Sequence, residues 1–176
     1  MGVPVVDADD LAREVVEIQS FGLDAVKKIF RNQVVSGEGV LDRKALARII
    51  FSDTEKRKLL ENIIHPLIQW RVYQEKEYFI KKKYPLVFYD AALIFEKGLK
   101  SQFTSILVVH ATEETQILRL ASRDSLSDEE IKIRISAQLK ISEKIALADH
   151  LIDNNGTVEF TKHQVSRLLE KLLAGA

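Results

Sequence analysis

The chain has 176 residues, 46% of them hydrophobic, with 26 basic and 26 acidic side chains in balance and no cysteine. This composition suits one α/β domain with a substantial core, and it argues against global disorder and against wholesale coating of nucleic acid or an anionic membrane. It also excludes disulfides, thiolate zinc sites and cysteine nucleophiles. No run approaches the roughly 20 apolar residues that span a bilayer. Asp7, Asp9 and Asp10 are the wrong charge for a signal peptide. The expectation is a soluble, cytoplasmic protein.

In chain order, Gly2-Val3-Pro4-Val5-Val6-Asp7 reads as a short buried strand ending in acids. A helix is predicted over Asp10 to Glu17, and a second over Leu23 to Asn32 with Ala25, Val26, Ile29 and Phe30 as its apolar stripe. Ser36 to Gly39 is a turn and Arg43 to Phe51 a short helix. Ser52 and Glu55 have the spacing of a capping box that opens a helix buried through Leu59, Leu60, Ile63 and Ile64. Pro66 lacks an N–H, so a kink or restart is expected at His65 before the helix resumes as far as Lys81-Lys82-Lys83. Leu86 to Asp90 and Ser105 to Val109 are continuous apolar runs, the pattern of parallel strands covered on both faces. Helices are predicted over Glu113 to Arg123, over Ser127 to Lys140 with Ser127 and Glu130 as its capping box, and from the Asn154-Asn155-Gly156 turn to about Leu173. His150 to Asp153 is the last strand. Strands alternating with helices imply a doubly wound parallel sheet.

Four groups of residues carry candidate chemistry. Asp7 and Asp9 sit at a strand's carboxyl end, where open parallel sheets bind ligands. If the segment is extended, the two side chains share one side and converge. A carboxylate there takes a proton from a substrate hydroxyl or helps to hold a magnesium ion; the other reading is that the acids cap the next helix. Arg119, Arg123, Arg134, Lys140 and Lys144 form a basic set, with Arg119 and Arg123 one turn apart on a helical face. Such cations stabilise a transferring phosphoryl group from a closing lid, or else make a solvated face paired with Glu113, Glu114, Glu129 and Glu130. His65 is either a ligand contact or a satisfied core histidine, and the four histidines show no metal-ligand spacing. The turn at Asn154-Asn155-Gly156 is ordinary turn chemistry or a contact for a nucleobase.

The order of these segments is more specific than any one of them. Gly-Val-Pro-Val-Val-Asp-Ala-Asp (2–9), then Gly39-x-Leu41-Asp42-Arg43-x-x-Leu46, then Phe51, Leu60-Glu61 and Ile64-His65-Pro66-Leu67-Ile68 resemble successive segments of the dephospho-coenzyme A kinases. Leu93-Ile94-Phe95-Glu96-Lys97-Gly98 follows. Gln116, Arg119, Arg123-Asp124, Arg134, Gln138, Lys144, Ala148-Asp149 and Ile152-Asp153-Asn154-Asn155-Gly156 complete the likeness, which runs from residue 2 to 156 without rearrangement.

The resemblance implies one domain over 1–176: a doubly wound α/β sheet of the P-loop kinase type, with a helical coenzyme A-binding region over 20–83 and a lid over 113–145. It implies transfer of the γ-phosphoryl of ATP, accompanied by Mg2+, to the ribose 3′-hydroxyl of dephospho-coenzyme A, the final step of coenzyme A biosynthesis. It matches Asp9 to the general base, Arg119 and Arg123 to lid-side catalytic cations, Asp7, Arg43 and His65 to the acceptor side, and Lys144 and Asn155 to the nucleotide side. No metal ligand within the protein is assigned. Members of the family have a proline where this chain has Ala92. They also begin with a strand and a Gly-x-x-x-x-Gly-Lys-Ser/Thr loop upstream of the position of Gly2, and none of the seven glycines here is followed by Lys-Ser or Lys-Thr. On that ground the first strand and P-loop are expected to be missing and the chain, as it stands, to be inactive. The alternative is a non-catalytic coenzyme A- or nucleotide-binding protein.

Overall fold

A computed structural model of the chain describes residues 2–124 and 127–175; residues 1, 125, 126 and 176 of the expected domain, the middle two of them in the expected lid, lie outside the described residues. The chain forms two compact units, Gly2–Ala91 and Ala92–Ala176. It is an α/β structure in which every strand pair is parallel, in line with the sequence.

The first unit opens with β1 (Val5–Asp7), which runs directly into α1 (Ala8–Glu14). The helix starts two residues earlier than the apolar pattern suggests because Asp7 caps it: its side chain accepts from the amides of Asp9 and Asp10. Ser20 then ends one helix and begins another. Its Oγ donates to Val15 O at 3.0 Å and accepts from Leu23 N at 3.0 Å, opening α2 (Phe21–Phe30). That junction brings Gly22 so near α1 that a Cβ there would stand 2.0 Å from Val15 O. The buried face of α2 is Gly22, Leu23, Val26 and Phe30, and Ile29, expected inside, is exposed. The Ser36–Gly39 turn is closed by the bridge between Val35 and Leu41, with Gly39 at φ +80°.

Asp42 caps α3 (Arg43–Ser52), and Asp53 caps α4 (Thr54–Lys81) by accepting from Lys56 N at 3.0 Å. The predicted Ser52–Glu55 box therefore does not form: the next residue supplies the cap, and Glu55 pairs with Lys58 instead. The chain does not restart at Pro66. The 28-residue α4 runs through it as one helix, with Ile63 and Ile64 before the proline and Leu67 and Ile68 after it packed on the same core. Its Leu60, with partly buried Ile63, Ile64, Leu67 and Ile68, closes a core made by Val15, Val16, Leu23, Val26, Phe30, Val34, Leu41 and Leu46. Leu59, expected in that core, is exposed. β2 (Phe88–Asp90) returns beside β1 with Val6 opposite Tyr89 and Asp7 opposite Asp90.

In the second unit β3 (Leu107–His110) pairs with β4 (His150–Asp153). Between them lie α5 (Glu113–Asp124), α6 (Asp128–Ser136) and α7 (Ile141–Leu147), and α8 (Val158–Ala174) follows β4. The Ser127–Glu130 capping box is formed as predicted. The helix expected from Ser127 to Lys140 ends at Ser136, and a further helix that the sequence did not indicate, α7, begins at Ile141. Ile131 and Ile152 are the most deeply buried side chains of this unit. The strands stand as two separate two-stranded sheets among the described residues. They are not covered on both faces, since Val5, Val109 and Leu151 are exposed.

Leu23 is fully buried in the first unit's core, so Leu23→Ala is expected to cost about 2–5 kcal/mol in urea unfolding followed by circular dichroism. Gly22→Ala drives a methyl group into a backbone oxygen that cannot move without shifting a helix; it is expected to cost at least about 1–3 kcal/mol. Loss of less than about 0.5 kcal/mol in either, on the order of a surface change, would show that the α1–α2 junction is looser than described.

Candidate active-site residues

In the first unit the carboxyl ends of β1 and β2 gather acids around one phenol. Asp7 Oδ1 accepts from Asp9 N at 2.7 Å and from Asp10 N at 3.2 Å. The capping reading thus holds for Asp7, whose second oxygen takes no part in the cap. Asp9 does not lie on an extended segment with Asp7, as alternation would place it. It stands in the first turn of α1, and no hydrogen bond or ion pair engages its carboxylate among the described residues. Acidic groups are favoured at a helix N-terminus by the partial positive charge there. Asp90 ends β2 level with Asp7. Burial pushes the Tyr89 phenol up, and the charges of Asp7 and Asp9 push it further, so it stays protonated beside them. Reading the sequence passed over Tyr89 because it sits within an apolar run; its signal is its place one residue before the strand's terminal acid.

Arg43 and His65, which the family likeness assigns to the acceptor side, lie on two other helices of this unit. Arg43 begins α3 and its Nη2 donates to Arg13 O at 3.3 Å, near the C-terminal end of α1. Its other donors find no acceptor among the described residues. His65 is exposed on α4 rather than satisfied within the core, and no hydrogen bond reaches its ring among the described residues. Arg71, which the sequence did not single out, holds α1 against α4. Its Nε and Nη2 contact Glu14 at 2.8 and 3.2 Å, and Nη2 also contacts Glu75 at 3.0 Å. The hydrogen bond to Glu14 raises its pKa further. The described residues contain no group of three or more acids and histidines arranged to hold a metal ion.

In the second unit Arg119 is exposed on α5 and no acceptor engages it among the described residues; Arg123 follows one turn later. Asn155 is bound into its own turn. Its Oδ1 accepts from Thr112 N at 2.7 Å, and its Nδ2 and backbone N donate to Asp153 Oδ1 at 2.6 and 2.8 Å. These bonds to Asn155 lower the Asp153 pKa. Lys144 is buried, and its Nζ reaches Glu96 Oε1 at 2.9 Å, Gln138 Oε1 at 3.0 Å and Ala92 O at 3.1 Å. Among the described residues no helix is long and apolar enough to cross a membrane.

The family model described as dephospho-CoA kinase matches residues 1–159. A dephospho-CoA kinase of Shouchella clausii is 42% identical over 170 residues, covering 97% of this chain and 86% of that protein. One of Listeria monocytogenes is 40% identical over 172 residues, covering 98% and 86%. Among solved structures, a Thermus thermophilus protein superposes with a TM-score of 0.83 at 35% identity, over 97% of this chain and 85% of that one. The dephospho-CoA kinase of Campylobacter jejuni superposes with a TM-score of 0.73 at 26% identity, over 99% and 87%. This chain belongs to the dephospho-CoA kinase family, the transferases that phosphorylate dephospho-coenzyme A in coenzyme A biosynthesis.

Proposed function

We propose that the first unit binds dephospho-coenzyme A and presents its ribose 3′-hydroxyl to Asp9. The observation that carries this reading is the unengaged Asp9 carboxylate in the first turn of α1, held there by the Asp7 cap. As O3′ attacks the γ-phosphorus of ATP, its proton passes to Asp9, the bond from phosphorus to the β–γ bridging oxygen breaks, and ADP leaves. Arg43 and His65 supply a cation and an imidazole on the acceptor side. Arg119 and Arg123, on the lid, offset charge on the transferring phosphoryl oxygens. Asn155, with its amide locked toward Asp153 and Thr112, shapes the turn on the nucleotide side. The setting is the cytoplasm.

Magnesium fits as a companion of ATP. It takes oxygen ligands and needs only one or two carboxylates beside phosphates and water. The free oxygen of Asp7 and the carboxylate of Asp9 are groups of that kind. When bound, the ion neutralises charge on the β- and γ-phosphates.

The seven glycines offer no Gly-x-x-x-x-Gly-Lys-Ser/Thr cradle, so these 176 residues are proposed to bind the acceptor better than ATP and to transfer phosphoryl groups poorly by themselves. In calorimetric titration dephospho-coenzyme A is expected to bind at least about tenfold more tightly than ATP, a difference of about 1.4 kcal/mol. Equal affinities would count against the proposal. On a polypeptide that joins these residues to such a loop, Asp9→Asn is expected to lower turnover by about 10²–10⁴-fold, with dephospho-coenzyme A affinity changed only a few-fold. Retained turnover would remove Asp9 as the base.

A further inference from the structure

The buried cation of the second unit is arranged unlike the other basic groups. Lys144 is 11% and Glu96 18% exposed in their side chains, whereas pairs such as Arg13–Asp10 and Lys58–Glu55 are more than 60% exposed. Exposed pairs of that kind contribute little. A lysine ammonium has three N–H donors, and each of the three on Lys144 has an acceptor, from Glu96, Gln138 and Ala92. The same Glu96 oxygen also accepts the Leu139 amide at 2.8 Å. Leu139 lies where α6 has ended at its Ala137 cap and α7 has not begun, and Lys140, at the N-cap of α7, supplies no side-chain cap. Burial works against the Glu96 charge, but the hydrogen bonds from Lys144 and Leu139 outweigh it and lower its pKa. Burying an ion pair is rarely repaid in stability alone, so its use is to be sought in what it holds.

It holds the bend between α6 and α7 and the amide of Gln138. An ammonium can face only the oxygen of that amide, and Oε1 is the atom at Nζ. The amide nitrogen therefore points away from Lys144. Gln138 is exposed, and its Nε2 has no acceptor among the described residues.

We propose that Lys144 and Glu96 form a buried latch that fixes the bend at residues 137–140 and turns the Gln138 NH2 outward as a hydrogen-bond donor to an anionic oxygen of the nucleotide. Lys144 is then a positioning residue rather than the nucleotide ligand that the sequence suggested, and Gln138 is the group that meets the ligand. The nucleotide part rests on the kinase reading above; the latch does not.

The test uses the whole chain with Glu96→Gln, Lys144→Met and the double variant, followed by amide exchange at Leu139. Each single change leaves one buried charge unpaired and is expected to speed exchange about 10–100-fold. The double variant removes both charges and keeps a side-chain oxygen at position 96 for the Leu139 amide, so its exchange is expected to return to within a few-fold of the parent. A double variant as fast as the product of the two single effects overturns the latch. On a polypeptide that joins these residues to a Gly-x-x-x-x-Gly-Lys-Ser/Thr loop, ATP is then titrated against the side-chain amide signal of Gln138. Lys144→Met is expected to weaken the response and the double variant to recover it. Were Lys144 the ligand, the double variant would stay weak, which overturns its role as a positioning residue. No response at Gln138 in the loop-bearing parent, at ATP concentrations that saturate it, overturns the donor role; failure of that parent to bind ATP at all counts against the kinase reading instead, and the exchange result still decides the latch.

Discussion

Asp7 Oδ1 accepts two amide hydrogens, at 2.7 and 3.2 Å, and so the chain passes from β1 into α1 with no loop between them. The placement of the proposed base follows from that junction. A helix that begins at Ala8 puts Asp9 in its first turn, where the helix end favours negative charge and the backbone fixes where the side chain leaves. The same junction sets Asp7 level with Asp90 and places Tyr89 within reach of both carboxylate charges. A cap that is itself acidic also leaves one oxygen outside the cap, and the proposed base stands two residues further on. Without the cap, α1 would start later and Asp9 would belong to a flexible connection.

A helix of seven residues does not hold its position by itself. Two contacts from elsewhere in the first unit secure α1: Arg71 clamps Glu14 from α4, and Arg43 reaches the Arg13 carbonyl from α3. Ser20 then couples the end of α1 to the start of α2 through one hydroxyl that both donates and accepts. Beneath these polar ties the apolar residues of α2, α3 and α4 interlock with Val15 and Val16, just beyond α1, and Leu23 and Val26 are wholly buried. The long α4 carries Pro66 inside it at a cost of about 3 kcal/mol or more, against which Leu60, Ile63, Ile64, Leu67 and Ile68 pack on the same core.

Most of this architecture is legible in the sequence, because apolar spacing and capping residues act locally. The β4 strand, the Ser127 capping box, α3 and the turn before Leu41 come out where the pattern puts them. The errors share one cause, which is that competition between neighbours is settled by packing. Asp53 displaces Ser52 as the cap of α4, Ile29 turns outward although α2 is amphipathic, Leu59 is exposed beside buried Leu60, and the helix expected to reach Lys140 ends at Ser136. The family likeness named Asp9, Arg43, His65 and Arg119 in advance, and the structure leaves each of these groups with donor or acceptor capacity unspent among the described residues. It could not reveal Tyr89 or Arg71, whose importance comes from partners distant in sequence.

Arg119 and Lys144 show why a basic residue's role is hard to read from sequence. Both lie in the stretch from α5 to α7, both are formal cations, and both match the family pattern. Arg119 is exposed with no acceptor engaged among the described residues, so approaching phosphate oxygens would be its first full partners. Lys144 is already surrounded by three oxygens, one of them a buried carboxylate, and would have to surrender that carboxylate to reach a ligand. What separates a cation that acts from one that organises is the number of donors left over after folding. That number depends on Glu96, 48 positions away (144 − 96), and on a break between helices that no local pattern announces.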